Sequence, residues 1–225
     1  MHKVTEKTSH KAFIVASILA IILLVAFTVG TTIAYYADDA AVKNEFTVGN
    51  VYINLFEKDK DGNIYEDGIT YDNVLPSILN VKEIYIQNTG ENAAYTRMKL
   101  SMPKAFYNII DLDINADNNI SQWTLVQSST YVENNIEYIA MVYNYNDILI
   151  PNEITDVLMK SVTVKAHIDN DDIDSVASLI GVDRSQLLLT IKAVGEAIQV
   201  EGFSNDMNEA WEMFETSANT TTSQH

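Results

Sequence analysis

From Ala12 to Phe27 the chain is apolar apart from Ser17; beyond Tyr35 no comparable run occurs, and apolar residues recur mostly with period two. Period two marks strands with one buried face. Phe46–Phe56 is rich in β-branched and aromatic residues and alternates from Val51 to Leu55, so it reads as a strand. Val81–Gln87 and Tyr95–Met102 follow, joined through Asn88-Thr89-Gly90-Glu91-Asn92 either as a hairpin or as a loop crossing between sheets. Further strands are expected at Glu137–Tyr145, Val157–Ile168 and Leu187–Val200. In Val157–Ile168, Val162, Val164, Ala166 and Ile168 alternate with Thr163, Lys165 and His167, which puts His167 toward solvent. Two stretches switch to the helical period: Ile173, Val176, Ala177 and Ile180 after Asp171-Asp172 and before Gly181, and Met207, Ala210, Trp211 and Phe214 after the N-cap Asp206. These patterns predict an all-β fold, a jelly-roll-like antiparallel β-sandwich with one or two short helices, preceded by an N-terminal hydrophobic signal helix.

The N-terminal run has a basic approach, Lys3, Lys7 and Lys11, and ends in small residues up to Ala34. A basic segment, an apolar core and small residues before a cut describe a secretory signal peptide. Thr32 and Ala34 fill the small positions, so cleavage falls between Ala34 and Tyr35. The run is also long enough to remain as a membrane anchor with the lysines inside. Both readings export the acidic body. The expected organisation is a leader at 1–34, a sandwich domain at 35–215 and a disordered polar tail at 216–225.

Composition narrows the function. The chain carries 14 Lys+Arg against 31 Asp+Glu, a net charge of -17, and no cysteine. Losing Lys3, Lys7, Lys11 and Glu6 with the leader leaves 11 basic against 30 acidic residues. Nucleic acid is not an expected partner, because phosphate binding needs clustered Lys and Arg, and the arginines are Arg97 and Arg184 alone. Absent cysteine rules out disulfides, thiolate metal sites and a cysteine nucleophile. The membrane is expected to be met only through the N-terminal segment.

Catalytic motifs are missing. His2 and His10 lie in the leader and His225 ends the chain, so His167 is the one histidine placed within a strand pattern. There is no His-Glu-x-x-His, no Gly-x-Ser-x-Gly elbow and no phosphate-binding glycine loop. No enzyme activity and no cofactor are expected. One acidic loop bears on metal: from Glu57 to Asn63, oxygen-bearing side chains at alternate positions, Asp59, Asp61 and Asn63, flank Gly62. Such spacing resembles the start of a calcium loop, with Glu66 as a later ligand, and equally describes an Asp-Gly hairpin.

Three stretches together are similar to the TasA/camelysin family of bacterial surface and biofilm-matrix proteins, exported through a SipW-type signal peptidase. They are Gly30–Asp38 running into Asn44–Val51, then Gln87–Lys99 with its Asn88-Thr89-Gly90, then Glu196–Phe203 with Ala210-Trp211 beyond. The resemblance implies a secreted jelly roll that assembles into extracellular fibres at the cell surface or in the biofilm matrix. It also implies a donor strand, freed by leader cleavage, that completes the sheet of the next subunit. Here that strand would start at Tyr35 and Tyr36 and run through Val42 toward Phe46. Its partners would be other copies of the chain, other matrix proteins and, during export, the signal peptidase. Camelysin-like members carry a metallopeptidase label, but no metal-binding triad stands in this sequence. A membrane-anchored, calcium-responsive adhesin using the Asp59 loop is the other alternative. Pro76-Ser77 departs from the family's Pro-Gly turn.

Overall fold

The computed structural model describes residues 44–48, 51–65, 69, 76–116, 122–203 and 206–222. The expected leader, the expected cleavage pair Ala34–Tyr35, and Tyr36, Val42 and Glu66 lie outside these residues. The period-two stretches form two five-stranded sheets. Sheet I runs in the order β1 (Asn44–Val48), β10 (Lys192–Gln199), β5 (Ala94–Pro103), β8 (Ile136–Tyr145) and β7 (Trp123–Glu133). Sheet II runs β3 (Ile64–Tyr65), β2 (Ile53–Lys58), β4 (Leu79–Asn88), β9 (Met159–Val164) and β6 (Ile110–Ile114). Apart from β1, which lies parallel to β10, the strand ladders are antiparallel. The chain passes from one sheet to the other at 88–94, at 103–110, between β6 and β7, and again after β8 and β9. This repeated wrapping makes the sandwich jelly-roll-like.

Alternation decides what fills the core. Ile53 and Leu55 of β2 and Ile84 and Ile86 of β4 meet Met98, Leu100, Met141 and Tyr143 from sheet I. Gly195 of β10 has the same role in reverse: a Cβ there would lie 3.1 Å from Ile53 Cδ1 and 3.4 Å from Ile86 Cδ1. The missing side chain makes room for two isoleucines from the facing sheet.

Several expectations are corrected. Phe46–Phe56 is not one strand: β1 and β2 flank residues 49–52 and belong to different sheets. β9 stops at Val164, and Ile168 N–H turns back to donate to Lys165 O, so Ala166 is exposed although Ile168 is buried. The strand expected from Leu187 begins at Lys192, after a 3₁₀ turn at Arg184–Gln186. β6, β7 and the short helix α1 (Lys104–Ile109) are not among the expected elements, although Ile110-Asp111-Leu112-Asp113-Ile114 of β6 alternates. β7 could not show a period, because every residue after Trp123 is exposed.

The helices start and stop as their ends dictate. α2 (Asn170–Ile180) has a reciprocal cap: Asp169 accepts from the N–H groups of Asp171 and Asp172, and Asp172 accepts from Asp169 N–H. Gly181, at φ 81°, ends it in the left-handed region. α3 (Met207–Thr222) begins where Asp206 accepts from Asn208 and Glu209 N–H, and it continues through Thr222. The expected disordered tail is therefore helical from Thr216 to Thr222. Ala210, Trp211 and Phe214 of α3 form a second cluster with Tyr95 and Ile198 on the outer face of sheet I. Arg97 ties this face together, paired with Glu196 and Glu215 and placed 4.3 Å from the Trp211 ring centre and 4.9 Å from that of Phe214. That cover explains why β5 is buried on both sides.

The Asn-Thr-Gly segment turns out to be a crossing, not a hairpin. Asn88 is fully buried, and its amide donates to Asn92 O and Leu149 O at 2.9 Å each, while its Oδ1 accepts from Gly90 N–H at 2.9 Å. Thr89 and Gly90 N–H both donate to Tyr52 O. A Cβ on Gly90 would stand 2.7 Å from Tyr52 N, so only glycine fits there. Replacing Asn88 by alanine removes three hydrogen bonds from the crossing, while Leu149 O keeps the bond from Ala94 N–H and Gly90 N–H the bond to Tyr52 O. The expected loss is about 3 kcal/mol, read as a lower denaturant midpoint at unchanged slope.

Candidate functional site

β1 is the described part of the expected assembly strand. Five residues long, it adds to the end of sheet I with the register Asn44↔Val194, Phe46↔Glu196 and Val48↔Ile198. Phe46 thus occupies an edge position in its own subunit, while Tyr35, Tyr36 and Val42 precede the described residues. Parallel ladders bind slightly less well per residue than antiparallel ones, and an edge strand is held on one side only. β1 has both properties. At the other end of sheet I, β7 is an 11-residue edge whose charged residue is Glu133 alone.

The acidic loop adopts the hairpin reading. Residues 59–63 connect β2 to β3, with Gly62 at φ 84° in the turn. Asp59 Oδ1 accepts from Asp61 N–H and Asn63 N–H, both at 2.9 Å; Oδ2 accepts from Asn63 Nδ2 at 2.9 Å and Tyr65 O–H at 3.0 Å. Both oxygens of the leading carboxylate are engaged in shaping the turn. These bonds, the Asn63 side-chain amide foremost, hold the Asp59 carboxyl down at about 2. The four donors describe an Asp-Gly hairpin, and Glu66, the last residue of the expected cation set, lies outside the described residues. Among the described residues, no three His, Asp or Glu side chains are grouped to hold a metal ion. The dense acidic stretch after His167 is taken up by the α2 cap, and His167 itself is exposed in the turn after β9.

Glu57 is a correction of a different kind. It was read as the first oxygen of the loop, but it faces the core and pairs with Lys82, the two side chains being 3% and 2% exposed. Ile69 covers the pair: its N–H donates to Glu57 Oε2, and Lys82 Nζ donates to Ile69 O at 2.9 Å. Burial pushes the Lys82 ammonium below its ordinary value, and the Glu57 carboxylate opposes that shift. The signal was present in the alternation, since Lys82 shares the inward face of β4 with Ile84 and Ile86. A second group that the pattern alone did not assemble lies around Arg97, Asn144 and Trp211 on the outer face of sheet I. Compared with known proteins, the sequence matches no family model and no curated protein.

Two outcomes follow. Lys82→Met alone strands a buried carboxylate and should lower stability by roughly 3–5 kcal/mol, whereas Glu57→Leu with Lys82→Met should recover most of that loss in the same chemical melt. The Asp59 carboxyl carbon, followed by NMR, should titrate near pH 2. Since the folded value lies below the ordinary 3.8, its stabilising effect is complete above that pH and disappears as the pH falls through about 2. A midpoint at the ordinary value would contradict the four-donor turn.

Proposed function

We propose that this chain is an exported structural protein of the bacterial cell surface or biofilm matrix, of the TasA/camelysin kind, that assembles into fibres by exchanging its N-terminal strand between copies. The observation that carries the reading is β1: a short, parallel edge strand, first in the described chain and separated from β2 by a passage between sheets. The resembling stretches around Gly30–Val51, Gln87–Lys99 and Glu196–Phe203 point the same way. Two of them meet in the ladder, because Glu196, Ala197 and Ile198 are the register partners of Phe46, Thr47 and Val48.

The mechanism is a swap of equals. If Asn44–Val48 leaves its own β10 and the same segment of another copy takes the place, the five-residue ladder is lost once and regained once. Such an exchange is nearly neutral in its hydrogen bonds, so the concentration of copies decides whether it occurs. A head-to-tail swap propagates as a filament where its rotation does not close a ring. While the leader remains attached, the segment from Tyr35 is tethered at the membrane; cleavage after Ala34 releases it. Charge opposes packing of copies, which makes assembly favoured by added salt or divalent cations through screening.

Deleting Tyr35–Val48 from the exported chain should leave a folded monomer that does not elongate, as followed by light scattering and electron microscopy beside the undeleted chain. Filaments of the deleted chain would overturn strand exchange.

A further inference from the structure

β7 is an edge strand without the usual guards. It runs for 11 residues, and among the described residues only β8 pairs with it. Exposed edges are normally short, charged or broken by proline, because a free row of backbone N–H and C=O groups is a template for another strand. Sheet II follows that practice, with the two-residue β3 at one end and Asp111 and Asp113 of β6 at the other. β7 does not. It holds no lysine, arginine or proline, and Glu133 at its end is its one charged residue. Its side chains are exposed from Thr124 onward, with Leu125 at 45%, Val126 at 50% and Val132 at 70%.

Charge and pattern select the occupant. With 31 Asp+Glu against 14 Lys+Arg, two copies repel one another, and the repulsion is least where carboxylates are absent. A basic partner would seek the carboxylates instead. The strand is also complementary to itself. Its register against β8 shifts between Leu125 and Gln127, which leaves Gln127–Glu133 as the regular stretch with Thr130 at its midpoint. About a two-fold axis at Thr130, antiparallel β7 strands set Thr130 opposite Thr130, Ser129 opposite Tyr131, Ser128 opposite Val132 and Gln127 opposite Glu133. Thr–Thr pairs are favourable across strands, and no carboxylate directly faces its like. On β8, Glu137 opposite Val132 is paired with Lys104 at 2.8 Å, and Tyr138 stacks on Tyr131 with ring centres 5.3 Å apart. We propose that the β7 edge is an interface to a second copy of this chain, the two strands joining antiparallel about Thr130 so that sheet I continues from one copy into the other. An isologous contact of this kind closes on itself and makes a pair. One strand pair is a small contact, so the association is weak. The proposal does not rest on strand exchange, which uses β1 at the opposite end of the sheet. Where both operate, β7 joins filaments side by side.

The chain has no cysteine, so an introduced one reports the contact. Thr130→Cys sets two thiols directly opposite each other, within disulfide reach, whereas the thiols of Ser128→Cys stand roughly 13 Å apart. Leu179→Cys, at a position 69% exposed on α2, measures chance collision. The full-length chain, kept in mild detergent because of its apolar run from Ala12 to Phe27, is oxidised gently, and covalent dimer is followed on non-reducing gels. At about 20 μM protein, Thr130→Cys should cross-link at least about tenfold faster than Leu179→Cys or Ser128→Cys, because apposed thiols meet at an effective concentration near millimolar. Ser128→Cys combined with Val132→Cys should recover the fast rate. Adding Val132→Lys to Thr130→Cys should return it to the collision rate with an unchanged melting temperature, since Val132 is exposed and a lysine guards an edge. Thr130→Cys no faster than Leu179→Cys overturns the interface, and the N-terminal segment of another copy lying on β7 would give that result. Ser128→Cys as fast as Thr130→Cys overturns the two-fold pairing. A rate that Val132→Lys leaves unmoved overturns the part played by the edge.

Discussion

One buried carboxamide holds the two sheets in register. Asn88 ends β4 in sheet II, and its side chain reaches the loop that leads to β5 in sheet I and the carbonyl of Leu149 after β8. Its backbone continues the same knot, donating to Glu153 O and accepting from Asn152 N–H. Tyr52, entering β2, is drawn in through the N–H groups of Thr89 and Gly90. A wrapping fold needs such a point, because most of its neighbours in space are distant in sequence and loop closure must be offset by bonds made there. The hydrophobic core drives the sheets together without direction; the carboxamide decides which loops meet at that end.

The other polar contacts inside the sandwich work at its rim. Glu57 and Lys82 face inward and pair, and Ile69 bonds to both through its backbone N–H and carbonyl. The pair holds the backbone of Ile69 more than it adds stability, since an apolar pair of similar volume would cost no desolvation. On the outer face of sheet I the logic reverses. Arg97 stands in the row Glu196–Arg97–Asn144 across β10, β5 and β8, and the rings of α3 fold over it. The cation is satisfied, yet Asn144 and Trp211 next to it are not.

Sheet I therefore has three distinct boundaries. Its inner face is core, its outer face is covered by α3, and its edges are β1 and β7. The proposed assembly concerns the β1 edge, where a ladder of five residues can be replaced by an identical one. Sheet II ends instead in two very different strands, the two-residue β3 and the five-residue β6 with Asp111 and Asp113, both poor templates for another chain.

Much of the fold is legible in the residues. Alternation at 81–87 and 95–102, the Asp169–Asp172 cap, the Gly181 stop and the Asp206 cap are local, and local patterns need no partner to be read. The all-β class and the hairpin at Asp59 follow from the same short-range chemistry. Long-range placement is not local. That residues 46–56 divide between two sheets, that Asn88 leads a crossing, and that Lys165 onward leaves the strand all depend on which edges are already taken. β7 escaped notice because exposure on both faces erases the period by which a strand is recognised. Glu57 could be read as a loop ligand until Lys82, 25 residues away, came to lie against it. Asn144 and Trp211 are 67 positions apart and come to line one groove only once α3 lies on sheet I. Sequence alone determined the periods, caps and turns, because these are set by neighbours along the chain. Tertiary structure decided the pairings, the buried charges and the groove, because those depend on which distant surfaces exclude water together.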